Sequence, residues 1–400
     1  MAVTIHDVLE LDIMKGFKVV AGEGGLTETI NSTEILDFEF LQEGVAYRKE
    51  KIFEGDSIVL SSLLFAKDRP ELVLDSVKRL MDLNVKGLAY KPVFFHSLPK
   101  EALAYADQNN FVILEFGYDE FFEDVISSIK ELVEKDQAAD LTETLFEEML
   151  ERKFSAEEAE AAKDKINPLL RPEAMAVCLR LENASEVRIR EIIKRGRPDQ
   201  RLSSKVFVGK CKDKLMVILS QDESNLNRFR ALMEDVKVAY DLSEETYVEG
   251  VSDIRPIGDG IDCIIQQAYW AQAVAEIEEE STKFYRDLGV YKLIISDIHA
   301  ASITEYMEGY LGPVLEESEK DLELLHTAIQ YILAKGDIQV AADRLFCHKN
   351  TIRYRLGKLQ EKLDPAVNER EFYQNLAMAI KIHLLLGKYR QDCISYKKQP

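Results

Sequence analysis

Cysteine, positive charge and long apolar runs are what this 400-residue chain has little of. Its five cysteines, Cys178, Cys211, Cys263, Cys347 and Cys393, stand far apart, with no Cys-x-x-Cys and no neighbouring histidine pair. A disulfide framework or a zinc site needs closer pairings, so the thiols read as reduced and intracellular. Lys and Arg number 51 against 72 Asp and Glu, a net charge of −21. Phosphate affinity comes from neutralising many phosphates, so this surface as a whole suits neither DNA, RNA nor an anionic membrane, and any nucleic-acid contact must be local. No apolar run approaches the roughly 18 residues that span a bilayer. The opening MAVTIHDVLELDIMKGFKVV carries acids among its apolar residues where a signal peptide has an unbroken apolar region and a cleavage site. The expectation is a soluble, cytoplasmic protein with no membrane partner.

Catalytic and cofactor signatures are also missing. In VAGEGGL (20–26) a dinucleotide fingerprint starting at Gly22 requires glycine at 27, where Thr27 stands, so the segment reads as a turn. There is no Walker A string, and GVSDI (250–254) lacks the second glycine of a nucleophile elbow. His326 and His383 lie on amphipathic helices, His96 follows a strand in FFHSLP (94–99), and no His/Asp/Glu cluster has metal-ligand spacing. No metal, cofactor or catalytic residue is expected.

What is present is a chain long enough for about three domains. Over 1–120, FKVVA (17–21), SIVLSSLLF (57–65), PELVLDSVKRLMDLNV (70–85), KGLAYK (86–91) and ALAYADQNNFVILEF (102–116) alternate β-branched runs with amphipathic ones. From 57 to 116 they read strand, helix, strand, helix, strand. Residues 121–170 are a helical, acidic connector, and Pro168 and Pro172 punctuate the chain before the next strand. Over 171–298 the reading is a strand at 174–181, a hairpin of KVFVGKC (205–211) and KLMVILS (214–220) turning at Lys212-Asp213, a helix over 225–240, a strand at 247–253, a helix over 260–279 and a strand YKLIIS (291–296). With a helix after the first strand, this order resembles a ferredoxin-like α+β unit with an added helix and strand. Residues 299–400 are helical throughout, with 322–335 ending at Gly336 as a C′ glycine.

One short segment contradicts the overall charge. From Arg344 to Lys358 there are five Lys/Arg (Arg344, Lys349, Arg353, Arg355, Lys358) and no Asp or Glu. Asp337 can cap a helix IQVAADRLF (338–346), Cys347-His348-Lys349 breaks it, and Asn350 can cap a second helix, TIRYRLGKLQEKL (351–363). Ile352, Leu356, Leu359 and Leu363 stack on one face as core; Tyr354, Gly357 and Lys358 point away, and Arg353 and Arg355 flank the stripe. The Ala341-Ala342 pair lets another helix cross closely. Two readings fit: a helix-turn-helix whose second helix enters the major groove of DNA, or two bundle helices with a solvated basic face.

AADRLFCHKNTIRYRLGKLQEKL resembles the C-terminal helix-turn-helix of the PucR family of bacterial transcriptional regulators, through Ala341, Ala342, Leu345, His348, Asn350, Thr351, Arg355 and Leu356. VTIHDVLEL, VVAGEGGL and LPKEALAYADQNNFVILEF resemble its N-terminal ligand-sensing domain, and VEGVSDIRPIGDGIDCIIQQAYWAQ with FYRDLGVYKLI its central GGDEF-like domain. Where the family often has Thr-Thr-Gly, this chain has SSLLFA (61–66). The hairpin that carries acids and glycines in active GGDEF domains reads VGKCKDKLMV (208–217), with Asp213 alone and three lysines. The resemblance implies a multidomain α/β chain: an α/β sensing domain (1–120), a degenerate GGDEF-like, ferredoxin-like domain (171–298) and an all-α helix-turn-helix domain (299–400). It implies a ligand-responsive regulator, an activator of catabolic genes, with double-stranded operator DNA and a small-molecule metabolite as partners. The residues assigned to DNA are His348, Lys349, Asn350, Thr351, Arg353, Tyr354, Arg355 and Lys358. A single recognition helix reads few bases, so a homodimer or higher homo-oligomer is expected. The competing readings are a nucleotide-binding or cyclising enzyme using 171–298, and an oligomeric adaptor that binds no DNA.

Overall fold

The computed structural model describes residues 3–37, 53–117, 119–182, 184–196, 198–315 and 318–397, with the side chains of Asp259 and of 389–397, Cys393 included, excepted. They form two compact units, residues 1–141 and 142–400.

The first unit is built on a five-stranded sheet. After a small ribbon of β1 (Val3–Thr4) and β3 (Thr29–Ile30), and the short helix α1 (Ile5–Leu9), the sheet takes β2 (Lys18–Ala21), β4 (Ser32–Ile35), β5 (Ser57–Ser61), β6 (Gly87–Tyr90) and β7 (Val112–Glu115) in the order β2-β7-β6-β5-β4. β4 to β7 run parallel, and β2 closes one edge antiparallel to β7. Helices α2 (Glu71–Asp82) and α3 (Lys100–Gln108) make the crossovers. Every residue of β5 and β6 is buried, as a parallel strand covered on both faces requires. One face packs on Val73, Val77 and Leu80 of α2 and on Ala102 and Ala106 of α3. The other packs on Ile5 and Val8 of α1 and on Val125 and Ile129 of the long helix α4 (Phe122–Glu151).

The strand-helix-strand-helix-strand order expected over 57–116 is found, with two differences. SIVLSSLLF is a strand only to Ser61; Leu63 then turns the chain at φ 55° into a 3-10 turn, Leu64–Ala66. STEI (32–35) is an additional strand, in register from Ser32↔Ser57 to Ile35↔Leu60. VAGEGGL forms the expected turn, with Gly22 donating its N–H to Asp107 Oδ1 at 2.7 Å and Glu23–Gly25 in a 3-10 turn.

The second unit begins within α4. It continues through α5 (Ala156–Ile166), capped by Ser155 and Glu158 in a reciprocal box, and β8 (Glu173–Leu181). Next come α6 (Glu186–Arg195), α7 (Gln200–Ser203), β9 (Val206–Cys211), β10 (Lys214–Gln221), α8 (Leu226–Ala239), β11 (Tyr247–Val251), β12 (Arg255–Pro256), α9 (Ile261–Ile277) and β13 (Thr282–Phe284). The sheet order is β13-β11-β8-β10-β9, and from β11 to β9 each strand runs antiparallel to its neighbour, the split βαβ arrangement of a ferredoxin-like unit. The hairpin turns where expected, with Lys212 at φ 55°. The added strand is β13, parallel to β11. YKLIIS, expected as that strand, is instead the helix α10 (Tyr291–Ser296): Tyr291 and Ile294 are buried three positions apart while Leu293 is 69% exposed, a helical period.

One face of this sheet holds Ile189 and Ile192 of α6 and Phe229, Leu232 and Val236 of α8. The other is covered by α9, so closely that a Cβ on Gly250 of β11 would stand 2.0 Å from the Gln272 backbone nitrogen. From α9 the apolar core runs without a break into the C-terminal helices α11 (Ala301–Leu315), α12 (Glu319–Leu333), α14 (Lys349–Leu363) and α15 (Glu369–Lys397), while α13 (Ile338–Arg344) belongs to a smaller cluster with Ile352 of α14. Trp270 and Val274 belong to the same cluster as Leu311, Leu325, Ile332, Leu359, Ile380 and Leu385. Around it Lys381 meets Glu278 at 3.5 Å, Lys388 meets Glu276 at 3.2 Å and Arg344 meets Glu279 at 3.5 Å. Burial pulls the Lys381 ammonium below its ordinary pKa while Glu278 holds it up.

Candidate nucleic-acid interface

Three short helices build the basic segment. α12 ends in a paired hydrogen-bond closure, Lys335 N–H to Ile332 O at 2.9 Å and Gly336 N–H to Tyr331 O at 3.0 Å. The left-handed C′ position is therefore Lys335 (φ 56°), and Gly336 (φ 84°), expected there, is the residue after it. Asp337 then caps α13 as expected, its Oδ1 accepting from Gln339 at 2.8 Å and Val340 at 3.2 Å. Ala341 and Ala342 are buried with Ile352 of α14, and Leu345 and Leu356 pack around them. A larger side chain at either alanine would force α13 off its neighbours.

α13 stops at Arg344, two residues before the expected end. Its closure repeats that of α12: Phe346 N–H to Asp343 O at 3.3 Å and Cys347 N–H to Ala342 O at 3.0 Å, with Phe346 at φ 49° in the left-handed position. α14 then begins at Lys349, two residues earlier than expected. Its N-cap is His348, in extended conformation, and His348 Nδ1 accepts the Asn350 N–H at 3.2 Å. An imidazole Nδ1 reaches the same amide as an Asx oxygen would from that site. Asn350, expected as the cap, lies inside the first turn and accepts from Arg353 Nη1 at 3.2 Å. Since Nδ1 accepts, the neutral ring carries its proton on Nε2.

Of the eight residues assigned to DNA, His348, Lys349, Asn350, Arg353 and Tyr354 share the exposed leading end of α14, with Tyr354 65% exposed; Thr351 is half-buried among them and donates its N–H to His348 O at 2.8 Å. Arg355 departs from this group. It is half-buried, bonded to Glu323 of α12 and 3.3 Å from Thr327 Oγ1, and so braces α14 against α12. Lys358 is exposed and held by Glu361 at 2.6 Å, a hydrogen bond that raises the ammonium above its ordinary pKa and keeps it charged. Lys362 meets Asp321 at 2.9 Å and holds that carboxyl low. The sequence reading missed Phe346, which is 98% exposed beside this end; as the last residue of an expected amphipathic helix it carried no signal of exposure.

Elsewhere, Asp213 of the hairpin meets Arg180 at 3.3 Å, and Lys210 is buried against Glu143 and meets Glu186 at 3.3 Å. In the first unit, an open recess of about 560 Å³ is lined by Ser62, Lys91, Phe121, Phe122, Glu123 and Asp124. Ser62 follows β5 and Lys91 follows β6, so the recess adjoins the carboxyl ends of parallel strands, where open α/β sheets bind ligands. Lys91 Nζ donates to Glu120 O at 2.8 Å and lies 5.3 Å from the centre of the Phe121 ring. His96 is exposed and is not among its lining residues.

Comparison with known proteins agrees at both ends of the chain. Residues 7–133 match the purine catabolism regulatory protein-like family. Residues 324–382 match the PucR C-terminal helix-turn-helix domain. The purine catabolism regulatory protein of Bacillus subtilis (strain 168) is 30% identical over 85 residues, which are 21% of this chain and 16% of that protein. A crystal structure of a regulator of polyketide synthase expression from Bifidobacterium adolescentis is similar over 61% of this chain and 97% of that one, at 14% identity and a TM-score of 0.27, too loose a likeness to bear on fold or function. With α12 to α15 in the helix-turn-helix arrangement, the chain carries a PucR-type N-terminal domain over 7–133 and a PucR-type C-terminal helix-turn-helix domain over 324–382.

Proposed function

We propose that this protein is a transcription regulator that binds operator DNA through the leading end of α14 and responds to a small metabolite bound by its N-terminal domain. The observation that carries the DNA reading is local: in a chain of net charge −21, Lys349 and Arg353 stand exposed with His348 and Asn350 at the start of a helix braced from behind by Arg355 and Glu323. In a helix-turn-helix that end meets base edges and phosphates. The name of the Bacillus subtilis relative favours control of catabolic genes, and activation is the sign we propose. The recess beside Ser62 and Lys91 is the proposed place for the effector. Residues 171–298 act as a degenerate GGDEF-like spacer and dimerisation unit, their hairpin charges engaged internally: Asp213 by Arg180, Lys210 by Glu143 and Glu186. Among the described residues no helix is long and apolar enough to cross a membrane, in keeping with a cytoplasmic site of action.

The test uses full-length protein and duplexes that it selects from a random-sequence library. Thr351→Ala and Arg353→Ala each weaken binding to the selected duplex by about 1–3 kcal/mol and leave random DNA much less affected. Equal losses on both would reduce these residues to backbone contacts, and failure to select any duplex would refute the DNA reading in favour of an adaptor.

A further inference from the structure

The turn between α13 and α14 holds an arrangement that the free chain does not account for. Phe346 occupies the left-handed C′ position of α13 at φ 49°, where glycine is the residue that fits without strain. Its ring is 98% exposed, so it gains nothing from the core in return. Leu345 before it and Cys347 after it both pack against the alanine pair, which fixes the turn and points position 346 outward. Two unfavourable features at one residue, strain and full exposure, are what a contact with something outside the chain would offset.

The surroundings name the partner. Phe346 stands two residues before His348, the cap of α14, and three before Lys349; of the five Lys/Arg from Arg344 to Lys358, Arg344, Arg355 and Lys358 pair with Glu279, Glu323 and Glu361, while Lys349 and Arg353 stand exposed at the end of α14 nearest the ring. A polyanion is drawn to that end of the unit, and an acidic protein surface would have to accommodate an uncharged ring at its centre. Resting on the DNA reading above, we infer that Phe346 makes an apolar contact with operator DNA at the edge of the half-site that α14 reads. Duplex DNA offers apolar surface there as the thymine 5-methyl group in the major groove or as deoxyribose carbons along the backbone. The ring adds an uncharged contact to a surface otherwise made of salt-dependent ones, so its contribution persists as salt rises.

The experiment compares wild type, Phe346→Gly and Phe346→Leu as full-length proteins on the library-selected duplex, on random duplex of the same length, and on the selected duplex with deoxyuridine replacing thymidine. Phe346→Gly relieves the left-handed strain, so its unfolding midpoint is expected at or above that of wild type, and weak binding by this variant is not a folding defect. Phe346→Gly is expected to bind the selected duplex about tenfold more weakly, and Phe346→Leu, which keeps an apolar side chain, within about threefold of wild type. A wild-type loss on deoxyuridine that disappears in Phe346→Gly assigns the contact to the thymine methyl; an equal loss for Phe346→Gly on all three duplexes assigns it to deoxyribose. Wild-type affinity in Phe346→Gly overturns the inference. If that variant then fails to support transcription by RNA polymerase in vitro, the ring's partner is a protein; if its sedimentation changes without DNA, the partner is a second copy of this chain. Should wild type select no duplex at all, the DNA reading itself fails and the inference falls with it; a wild type that binds while the ring proves indifferent removes the inference alone.

Discussion

His348 has two nitrogens facing two tasks, and two substitutions separate them. Nδ1 accepts the Asn350 N–H at 3.2 Å and so closes one of the unpaired amides at the start of α14. With Nδ1 accepting, Nε2 is the ring nitrogen left to donate on this exposed residue, and on the proposed DNA reading its acceptor is a phosphate. Replacing an N-cap by alanine costs about 1 kcal/mol, roughly a fivefold rise in local opening, whereas asparagine is among the best caps. His348→Ala should therefore lose both functions and His348→Asn only the second. Hydrogen exchange followed on a peptide spanning 346–353 of the full-length protein reads the cap: exchange is expected about fivefold faster in His348→Ala and unchanged in His348→Asn. Fluorescence anisotropy on the selected duplex reads the phosphate contact, and both variants should lose about 1.5 kcal/mol, the scale of a hydrogen bond to a charged acceptor. If His348→Asn exchanges as fast as His348→Ala, the ring is not what closes the helix. If His348→Asn binds DNA like wild type, Nε2 does not reach the backbone.

Two further outcomes test the scaffold. Gly250→Ala places a methyl 2.0 Å from the Gln272 nitrogen and 2.3 Å from the Ala268 oxygen, both backbone atoms of α9 that cannot step aside; the urea midpoint should fall by an amount equivalent to about 3 kcal/mol, and an unchanged midpoint would refute the close packing of β11 on α9. The Glu249 carboxyl is pushed above its ordinary pKa chiefly by burial, with Lys237 opposing and Glu234 adding to the rise. The folded state thus holds this proton to higher pH than the unfolded state, and stability is lost as pH rises through and above the carboxylate range. Glu249→Gln should accordingly raise the melting temperature at pH 7 and give no advantage near pH 4; a gain that is the same at both values would rule out ionisation as its cause.

The parts of the molecule that were legible in the sequence are those in which local pattern and tertiary environment agree. IVL of β5 and VIL of β7 are apolar runs because parallel strands are covered on both faces, and Ile352, Leu356, Leu359 and Leu363 announce the core face of α14 by spacing alone. STEI gave no such signal: it is short and polar, and is a strand only because Ser57–Leu60 lies beside it. YKLIIS fits either period over six residues, and burial of Tyr291 and Ile294 in the α9 core decides for helix. At the interface, the residue types were readable but their roles were not. His348 and Asn350 can both accept an amide proton, and a two-residue shift in helix start exchanges cap for first turn. Arg355 belongs to the family's pattern, yet here it faces Glu323, a partner 32 residues away. Phe346 was read as the last residue of the helix 338–346, whereas α13 stops at Arg344 and leaves Phe346 in the turn.

The unbroken core that joins α9 to α11, α12, α14 and α15 bears on how this protein could be recombined. A chimaera that joins a foreign regulator to residues 299–400 would strip Trp270 and Val274 away from Leu311 and Ile380 and leave Lys381 and Lys388 without Glu278 and Glu276. Such a graft inherits an open apolar wound where a linker was assumed. The exchangeable cassette is larger: the ferredoxin-like sheet and the helix-turn-helix travel together, and a new sensor must be spliced on ahead of them, near the middle of α4.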